Sequence, residues 1–218
     1  MKHIPPREPH SDCTLCPRLK EFRDNNRQIF PAWHNSPVIS LGGTEGELLI
    51  VGLAPGLRGA NKTGRPFTGD HAGELLYKQL SKFGFSKGKY KARKDDGLVL
   101  VNCRITNAVR CVPPENKPLG DEVIACRSFL IDEISSLSHL RIILALGTLA
   151  HGAVLAALGE KKSTYKFGHN QFHDIRGING KKLILADSYH CSRYNTNTGR
   201  LTESMFELVF KGIYKQLS

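Results

Sequence analysis

The chain has 218 residues, with 31 Lys and Arg against 20 Asp and Glu, for a formal net charge of +11. This length allows a sizeable buried core, and the charge favours a polyanionic partner. The longest apolar runs, LLIVGLA and IILALG, are too short to span a bilayer, and the opening MKHIPPREPHSDC lacks the apolar region of a secretory signal, so we expect a cytoplasmic protein.

Short apolar runs alternate with helical patterns along the chain. Continuous runs predict strands buried on both faces at 48–53, 98–101, 142–146 and 183–186. Apolar residues at helical spacing predict helices over 72–83, 123–137, 149–158 and 206–217. This order predicts a single α/β domain over residues 1–218, with a mostly parallel sheet and right-handed crossovers.

The loop after the first strand, GLAPGLRGANKTGRPFTGD, is one residue away from a phosphate-binding P-loop. It contains GLRGANKT, in which Asn61 stands in place of the last glycine. A P-loop also needs a helix that begins at the lysine, but Gly64 and Pro66 follow Lys62 closely, and the proline biases Arg65 away from helical geometry. The pattern therefore argues against an ATPase or GTPase.

The same loop is suited to holding a flat, uncharged ring. Phe67 provides an aromatic platform, and Asn61 and Asp70 place polar groups beside it. A core anchor is the alternative for Phe67, and a cap on the helix that starts at His71 is the alternative for Asp70.

Two later segments are also expected at this end of the sheet. In open α/β sheets ligands bind outside the carboxyl ends of the strands. The later segments are rich in Gly, Pro, Asn and Thr, as the first loop is, and read NCRITNAVRCVPPENKP and DSYHCSRYNTNTGRLT. The three loops should therefore face one another.

Four of the six cysteines have the spacing of a metal site. A CxxC motif near the start is joined by two thiols further along, at Cys13, Cys16, Cys111 and Cys126. Four thiolates suit zinc or an iron–sulfur cluster, and spacing alone does not choose between them. Because zinc ribbons usually bring two CxxC knuckles, we favour a cluster. Unliganded core cysteines are the alternative.

Together these motifs resemble the uracil-DNA glycosylase superfamily, most closely its family 5, the type-b enzymes of bacteria and archaea. The resemblance covers nearly the whole chain, since three long motifs agree in order and spacing. It implies a three-layer α/β/α sandwich with a central four-stranded parallel sheet. It also implies a 4Fe-4S cluster on the same four cysteines, Cys13, Cys16, Cys111 and Cys126.

The resemblance implies a monofunctional DNA repair glycosylase, which flips uracil out of DNA and hydrolyses its N-glycosidic bond to leave an abasic site. Family 5 also accepts hypoxanthine and other damaged bases. By the same resemblance Phe67 stacks on the flipped base, Asn107 reads its edge, and His190 stabilises the leaving oxygen. Gly52 and Ala54 would form part of the base site.

The chain departs from related families at two places. Related families have His-Pro-Ser in the last motif, whereas this chain reads His190, Cys191 and Ser192. Many relatives also have an acidic or amide residue beside the Ala-Pro of the first motif, and this chain has Leu53 there. Positioning of the attacking water then passes to Asn61 or Asp70, and the sequence does not rank these two.

DNA is the expected partner, bound by a monomer. Candidate contacts to its phosphates share the first and last motifs, and they are Arg58, Lys62, Arg65, Ser192 and Arg193. Two other function classes fit parts of the sequence. A non-catalytic, metal-bearing nucleic-acid-binding module would bind DNA and release no base. An electron-transfer iron–sulfur protein would change redox state without DNA.

Overall fold

A twisted sheet with helices on both faces organises the computed structural model, which describes residues 5–218. The strands are β1 (Leu48–Gly52), β2 (Ser86–Lys87), β3 (Val99–Leu100), β4 (Cys103–Asn107), β5 (Ile142–Leu146), β6 (Phe172–Arg176) and β7 (Lys182–Ser188). The helices are α1 (Pro17–Ile29), α2 (Ala60–Thr63), α3 (His71–Lys82), α4 (Gly120–Ser136), α5 (Thr148–Ala157), α6 (Arg193–Asn197) and α7 (Glu203–Leu217).

The central sheet has the strand order β4-β1-β5-β7-β6. Strands β4, β1, β5 and β7 are parallel, which confirms the predicted four-stranded parallel sheet. Strand β6 adds an antiparallel edge beside β7 that the sequence did not predict. Its sequence FHDIR is mostly half-buried or exposed, so it lacks the continuous apolar run by which the inner strands were found.

The prediction that residues 98–101 form a central strand is wrong. Part of that run, β3, pairs antiparallel with β2 in a separate two-stranded hairpin. The central strand is β4, whose sequence CRITN is buried at every position although it is half polar. Burial is possible because the Arg104 guanidinium is paired with the carboxylate of Glu133, itself buried on α4. This pairing partner is 29 residues away, so local hydrophobicity did not reveal the strand.

The sheet separates two apolar cores, which confirms the three-layer sandwich. Leu48 and Ile50 of β1 face a core shared with α3 and α7, whereas Leu49 and Val51 face a core shared with α4 and α5. These side chains are fully buried, and burying each one stabilises the fold by roughly 1.5–3 kcal/mol. No helix within residues 5–218 is long and apolar enough to cross a membrane.

Helix α1 has no counterpart in the sequence prediction, because most of its residues are polar. Its buried Leu19 packs against Val109 and Phe129, next to the cysteines. Phe129 lies on α4 and Val109 follows β4. The N-terminal helix is thereby fixed to the segment that leaves the carboxyl end of β4.

Candidate active site

A cavity of about 770 Å³ opens at the carboxyl ends of the parallel strands. The three predicted loops all contribute to its wall, as expected from the topology. Its lining residues are Leu53, Ala54, Pro55, Gly56, Leu57, Arg58, Gly59, Ala60, Phe67, Gly69, Asp70, His71, Ala72, Asn107, Asn116, His190, Ser192 and Arg193. The structure thus brings Phe67, Asn107 and His190 to one cavity.

Phe67 occupies an unusual backbone conformation on the cavity wall. Its φ of +50° lies in the left-handed region, which is costly for a residue with a large side chain. The Tyr90 hydroxyl fixes the turn by donating to the Phe67 carbonyl over 3.3 Å. The Phe67 ring centroid lies 6.1 Å from that of His190, so the two rings border the same space.

Asn107 presents an unpaired amide to the cavity. It is the last residue of β4 and is only 3% exposed. Within residues 5–218, its side-chain amide has no protein hydrogen-bond partner, and its polar atoms are not fully enclosed, so the amide is open to the cavity. An amide without protein partners on a cavity wall is suited to ligand binding, because a ligand can supply the missing hydrogen bonds.

Gly52 lies behind this wall and does not line the cavity. A Cβ atom on Gly52 would come within 2.4 Å of Asn107 Oδ1 and 2.7 Å of Phe67 Cζ. The glycine therefore lets the amide and the ring pack closely against β1. Its contribution to the base site is indirect, and it acts by positioning the other two residues.

His190 is half-buried on the cavity wall. Burial lowers its pKa, while the charge of Asp70 acts in the opposite direction. The imidazole is therefore neutral at neutral pH and can donate one N–H. The loop is held without the proline of related families, because Asn195 donates its amide to the His190 carbonyl over 2.8 Å and the buried Cys191 thiol donates to the Ala72 carbonyl.

Asp70 both caps a helix and faces the cavity. Its Oδ1 accepts from the Gly73 N–H at the start of α3, over 3.0 Å, which confirms the capping role. Its Oδ2 lies against Gly59, where a Cβ would come within 2.3 Å of it. The carboxylate is thus held by one hydrogen bond at the start of α3 and packs against Gly59, while it remains part of the cavity wall.

Two site predictions are wrong. Asn61 is 1% exposed, and its amide donates to Asn35 Oδ1 over 2.9 Å, so it does not reach the cavity to position water. Arg65 is 4% exposed and forms two hydrogen bonds of 2.7 Å with the carboxylate of Asp96, so its guanidinium is not available to DNA phosphates. Both side chains serve to fix the loop.

The other predicted DNA contacts differ in position. Arg58, Ser192 and Arg193 lie on the cavity wall. Lys62 is exposed outside it, with its ammonium 5.7 Å from the centre of the Trp33 ring. Helix α2, which contains Lys62, has four residues and ends at Gly64 with φ +76°, so the loop lacks the long helix of a P-loop.

The cavity also includes residues that sequence reasoning missed. Asn116 lies on its wall with φ +57°, next to Glu115 with φ +53°. His71 lines it from the first position of α3, with Nε2 2.9 Å from Thr196 Oγ1. The sequence signal for this part of the wall was the PPEN segment, since asparagine tolerates the left-handed conformation that a tight turn requires.

The four predicted cysteine ligands line a second, very small cavity of about 10 Å³ between α1 and α4. Arg23 contacts the Cys111 Sγ at 3.6 Å, and the Arg110 N–H contacts the Cys126 Sγ at 3.4 Å. Burial raises the pKa of Cys16 to about 11 and that of Cys126 to about 12. These thiols hold their protons at neutral pH unless a metal displaces them.

A histidine–aspartate group beneath the last motif is also spaced closely enough to share one ion. Its ligand atoms, on His151, His173 and Asp187, lie within 4.8 Å of one another. His151 Nδ1 is 2.8 Å from Asp187 Oδ1, and its Nε2 is 2.9 Å from the Tyr165 carbonyl oxygen. Burial lowers the pKa of His151, but the hydrogen bond with Asp187, the charge of that carboxylate and the hydrogen bond to the Tyr165 carbonyl together outweigh it and raise the pKa. The carboxylate of Asp187 therefore joins the two histidines by hydrogen bonds, one to His151 Nδ1 and one to His173 Nε2.

Comparison with known proteins agrees with the resemblance seen in the motifs. A sequence model described as the uracil DNA glycosylase superfamily matches residues 39–213. A type-5 uracil-DNA glycosylase of Thermus thermophilus is 42% identical over 200 residues, covering 89% of each chain. A type-5 enzyme of Pyrobaculum aerophilum is 37% identical, covering 91% of this chain and 86% of its own. A type-4 enzyme of the same organism is 36% identical over 82% of this chain and 77% of its own.

Proposed function

The chain belongs to the uracil-DNA glycosylase superfamily, and we propose that it removes uracil from DNA by hydrolysing the N-glycosidic bond. The observation that carries this proposal is the amide of Asn107, which has no protein partner within residues 5–218 and lines the same cavity of about 770 Å³ as Phe67 and His190. Uracil offers a donor and an acceptor side by side on its imide edge, and an amide matches both.

A base in a duplex must leave the stack to reach this cavity, at a cost of a few kcal/mol. Stacking on Phe67 returns roughly 1–3 kcal/mol of this cost. Phosphate contacts supply more, and Arg58, Ser192 and Arg193 on the cavity wall and Lys62 beside it are suited to them. The protein acts on DNA in this scheme, and we propose that it does so as a monomer.

The chemical step replaces one bond with another. The bond between uracil N1 and the sugar C1′ breaks, and its electron pair leaves with the base as a uracil anion. A neutral His190 N–H donates to the carbonyl oxygen where that charge collects, as in an oxyanion hole. Water adds its oxygen to C1′ and gives its proton to the Asp70 carboxylate, which the fold already holds at the cavity wall.

Water is the nucleophile because no lysine appears among the described residues that line the cavity. A lysine amine would be needed for a Schiff-base intermediate and strand cleavage. The protein is therefore a monofunctional glycosylase. We further propose that it accepts hypoxanthine, since the cavity volume of about 770 Å³ is within the range that holds ligands larger than a pyrimidine.

We propose that Cys13, Cys16, Cys111 and Cys126 hold a 4Fe-4S cluster. The N–H groups of Arg23 and Arg110 directed at two of the sulfurs suit thiolate ligands. In a tetrahedral zinc site the sulfurs would lie about 3.8 Å apart. Among the described residues, only the histidine–aspartate group brings three ligand atoms within 4.8 Å of one another. No three of the four cysteine sulfurs are therefore that close, and a spacing wider than that of a zinc site favours a cluster. Its contribution is to fix α1 to the segment after Asn107.

The direct test is incubation with a duplex that contains one uracil, followed by alkali. We expect an alkali-dependent break at the uracil and no break before alkali. Single-turnover excision should fall about 10²- to 10³-fold in His190→Ala, while DNA binding is kept, because one oxyanion donor is lost. Absence of base release by the wild-type protein, with or without DNA binding, would overturn the proposal.

A further inference from the structure

A strongly basic segment lies next to the cavity, and none of its lysines or arginines lines the cavity. It is the hairpin formed by β2, the following loop and β3, residues 86–100, here called the basic hairpin. Five of its eight residues from 87 to 94 are Lys or Arg, against 31 in the 218-residue chain, and all five are exposed. Within residues 5–218, the four lysines, Lys87, Lys89, Lys91 and Lys94, have no ion-pair partner.

The basic hairpin is rigidly joined to the turn that carries the stacking ring. The buried Asp96 carboxylate holds Arg65 of the first motif through two bonds of 2.7 Å, and it accepts from the backbone N–H groups of Lys91 and Leu98. A buried ion pair with every oxygen bonded tolerates little movement. The burial of Arg65, which removes it from DNA, is explained by this function as an anchor.

Tyr90 makes the second connection. Its ring stacks on that of Tyr77 with centroids 4.5 Å apart. Its hydroxyl donates to the Phe67 carbonyl over 3.3 Å and lies 3.4 Å from the Gly69 N–H. Tyr90 stands between Lys89 and Lys91 in the sequence. The stacking residue and two exposed cations therefore belong to one hydrogen-bonded unit.

A groove of about 480 Å³ between α3 and the basic hairpin is lined by Lys78, Lys82 and Lys89 together with Glu74. Lys78 and Lys82 are paired with Glu203 and Glu207, whereas Lys89 has no carboxylate partner among the described residues. Near the end of the same basic run, Lys94 lies close enough to His34 that its charge, after burial, helps to lower the pKa of that histidine. The His34 N–H in turn bonds the Lys62 carbonyl.

We propose that the basic hairpin is a second DNA-binding surface, which holds the phosphate backbone beside the flipped nucleotide and fixes Phe67 through Tyr90. This inference rests on the proposed function and extends its DNA footprint. The partner is a polyanion with closely spaced charges, since the four lysines, Lys87, Lys89, Lys91 and Lys94, occupy eight residues of chain and lack carboxylate partners among the described residues.

The test compares two variants that each lose four lysines. The hairpin variant carries Gln at Lys87, Lys89, Lys91 and Lys94. The control variant carries Gln at exposed lysines of β7's amino end and of α7, Lys181, Lys182, Lys211 and Lys215. Binding to a uracil-free duplex is measured between about 50 and 200 mM salt. The slope of log affinity against log salt is negative, and each lost phosphate contact makes it shallower by about 0.9.

We expect the slope to become shallower by about 2 to 4 in the hairpin variant, with an unchanged melting temperature. In the control variant the slope should become shallower by less than about 1. Excision of uracil at saturating DNA should be unchanged in the control variant. Equal losses of slope in the two variants would overturn the inference, because net charge rather than this surface would then account for binding. Since binding uses a uracil-free duplex, this outcome is separate from any failure of uracil release.

The connection to Phe67 is tested by Tyr90→Phe, which keeps the ring and removes the hydroxyl. We expect the salt slope to be unchanged and the single-turnover rate at saturating DNA to fall about three- to tenfold. Tyr214→Phe, at an exposed tyrosine of α7, is the matched control and should have the wild-type rate. A wild-type rate in Tyr90→Phe would show that the hydroxyl does not position Phe67.

Discussion

The cavity and the four-cysteine site use buried polar groups in opposite ways. In the cavity, the Asn107 amide has no protein partner among the described residues and stays open to a ligand, and Phe67 is kept at φ +50°, a conformation that costs stability. At the cysteines, Arg23 and Arg110 direct N–H groups at the sulfurs, and apolar side chains of α1 and α4 surround them. The polar groups of the cavity are thus available to a ligand, whereas those of the four-cysteine site contact the sulfurs.

The two regions are nevertheless connected through four residues of chain. Asn107 ends β4, and Cys111 follows after a short segment in which Val109 packs with Leu19 and Phe129. The backbone of this segment bonds the first motif, with the Ala108 and Val109 N–H groups donating to the carbonyls of Gly52 and Leu53. Substitution of a cysteine ligand should therefore also disturb the cavity, whereas substitution of a residue in the cavity should leave the four-cysteine site unchanged.

The largest expected effect is that of Cys111→Ser. If the four cysteines hold the proposed cluster, removing one ligand should abolish its visible absorbance and lower the melting temperature by about 10 °C or more, since binding energy at such a site is folding energy. Uracil release should be lost with it. Cys103→Ala, at a buried cysteine outside this site, should keep the absorbance. Unchanged absorbance in Cys111→Ser would show that Cys111 is not a ligand.

A smaller effect confined to the cavity is expected from Gly52→Ala. The new methyl group would meet Asn107 Oδ1 and the Phe67 ring, so both must shift. Misplacement of this order should slow single-turnover excision about 10- to 100-fold while the cluster absorbance is kept. Gly43→Ala is the matched control, since a Cβ there meets no atom within 4 Å. Equal rates for the two variants would contradict the close packing behind the cavity.

The smallest effect concerns pH. Burial lowers the pKa of His190 below its ordinary value of 6.5, so the neutral imidazole is the active donor above that pH. The single-turnover rate at saturating DNA should vary by less than about twofold between pH 7 and 8.5. If the charged imidazolium were needed, the rate would instead fall about tenfold per pH unit over this range, because the whole range lies above the pKa. Such a fall, present in the wild type and absent in His190→Asn, would contradict a neutral donor.

The sequence predicted the strands correctly where a continuous apolar run is packed between helices on both faces of the sheet. The strands β1, β5 and β7 are continuous apolar runs because helices cover both of their faces, and the three loops at their ends met as the topology requires. Strand β4 was missed because its burial depends on the distant partner of Arg104. The edge strand β6 was missed because it has one half-exposed face.

Site residues were predicted correctly where their place at the end of a strand determines their location. They were predicted wrongly where a distant hydrogen-bond partner determines whether the side chain is free. Phe67, Asn107 and His190 follow strand ends, so their convergence was expected. Arg65 looked like a phosphate contact because nothing near it in the sequence shows that Asp96, 31 residues later, neutralises it. Asn61 likewise depends on Asn35, 26 residues earlier. Charge and polarity in a sequence give the chemistry of a side chain, but its long-range partner determines whether that chemistry is free.

The central claim is that the Asn107 amide recognises uracil in this cavity, and Asn107→Asp tests it most directly. A carboxylate keeps the size of the side chain but offers only acceptors, so it loses the donor to the uracil carbonyl and gains an acceptor for the cytosine amine. We predict that single-turnover release of uracil falls at least about 100-fold and that release of cytosine becomes measurable, with the fold intact. Uracil release within a few-fold of the wild-type rate would contradict the account.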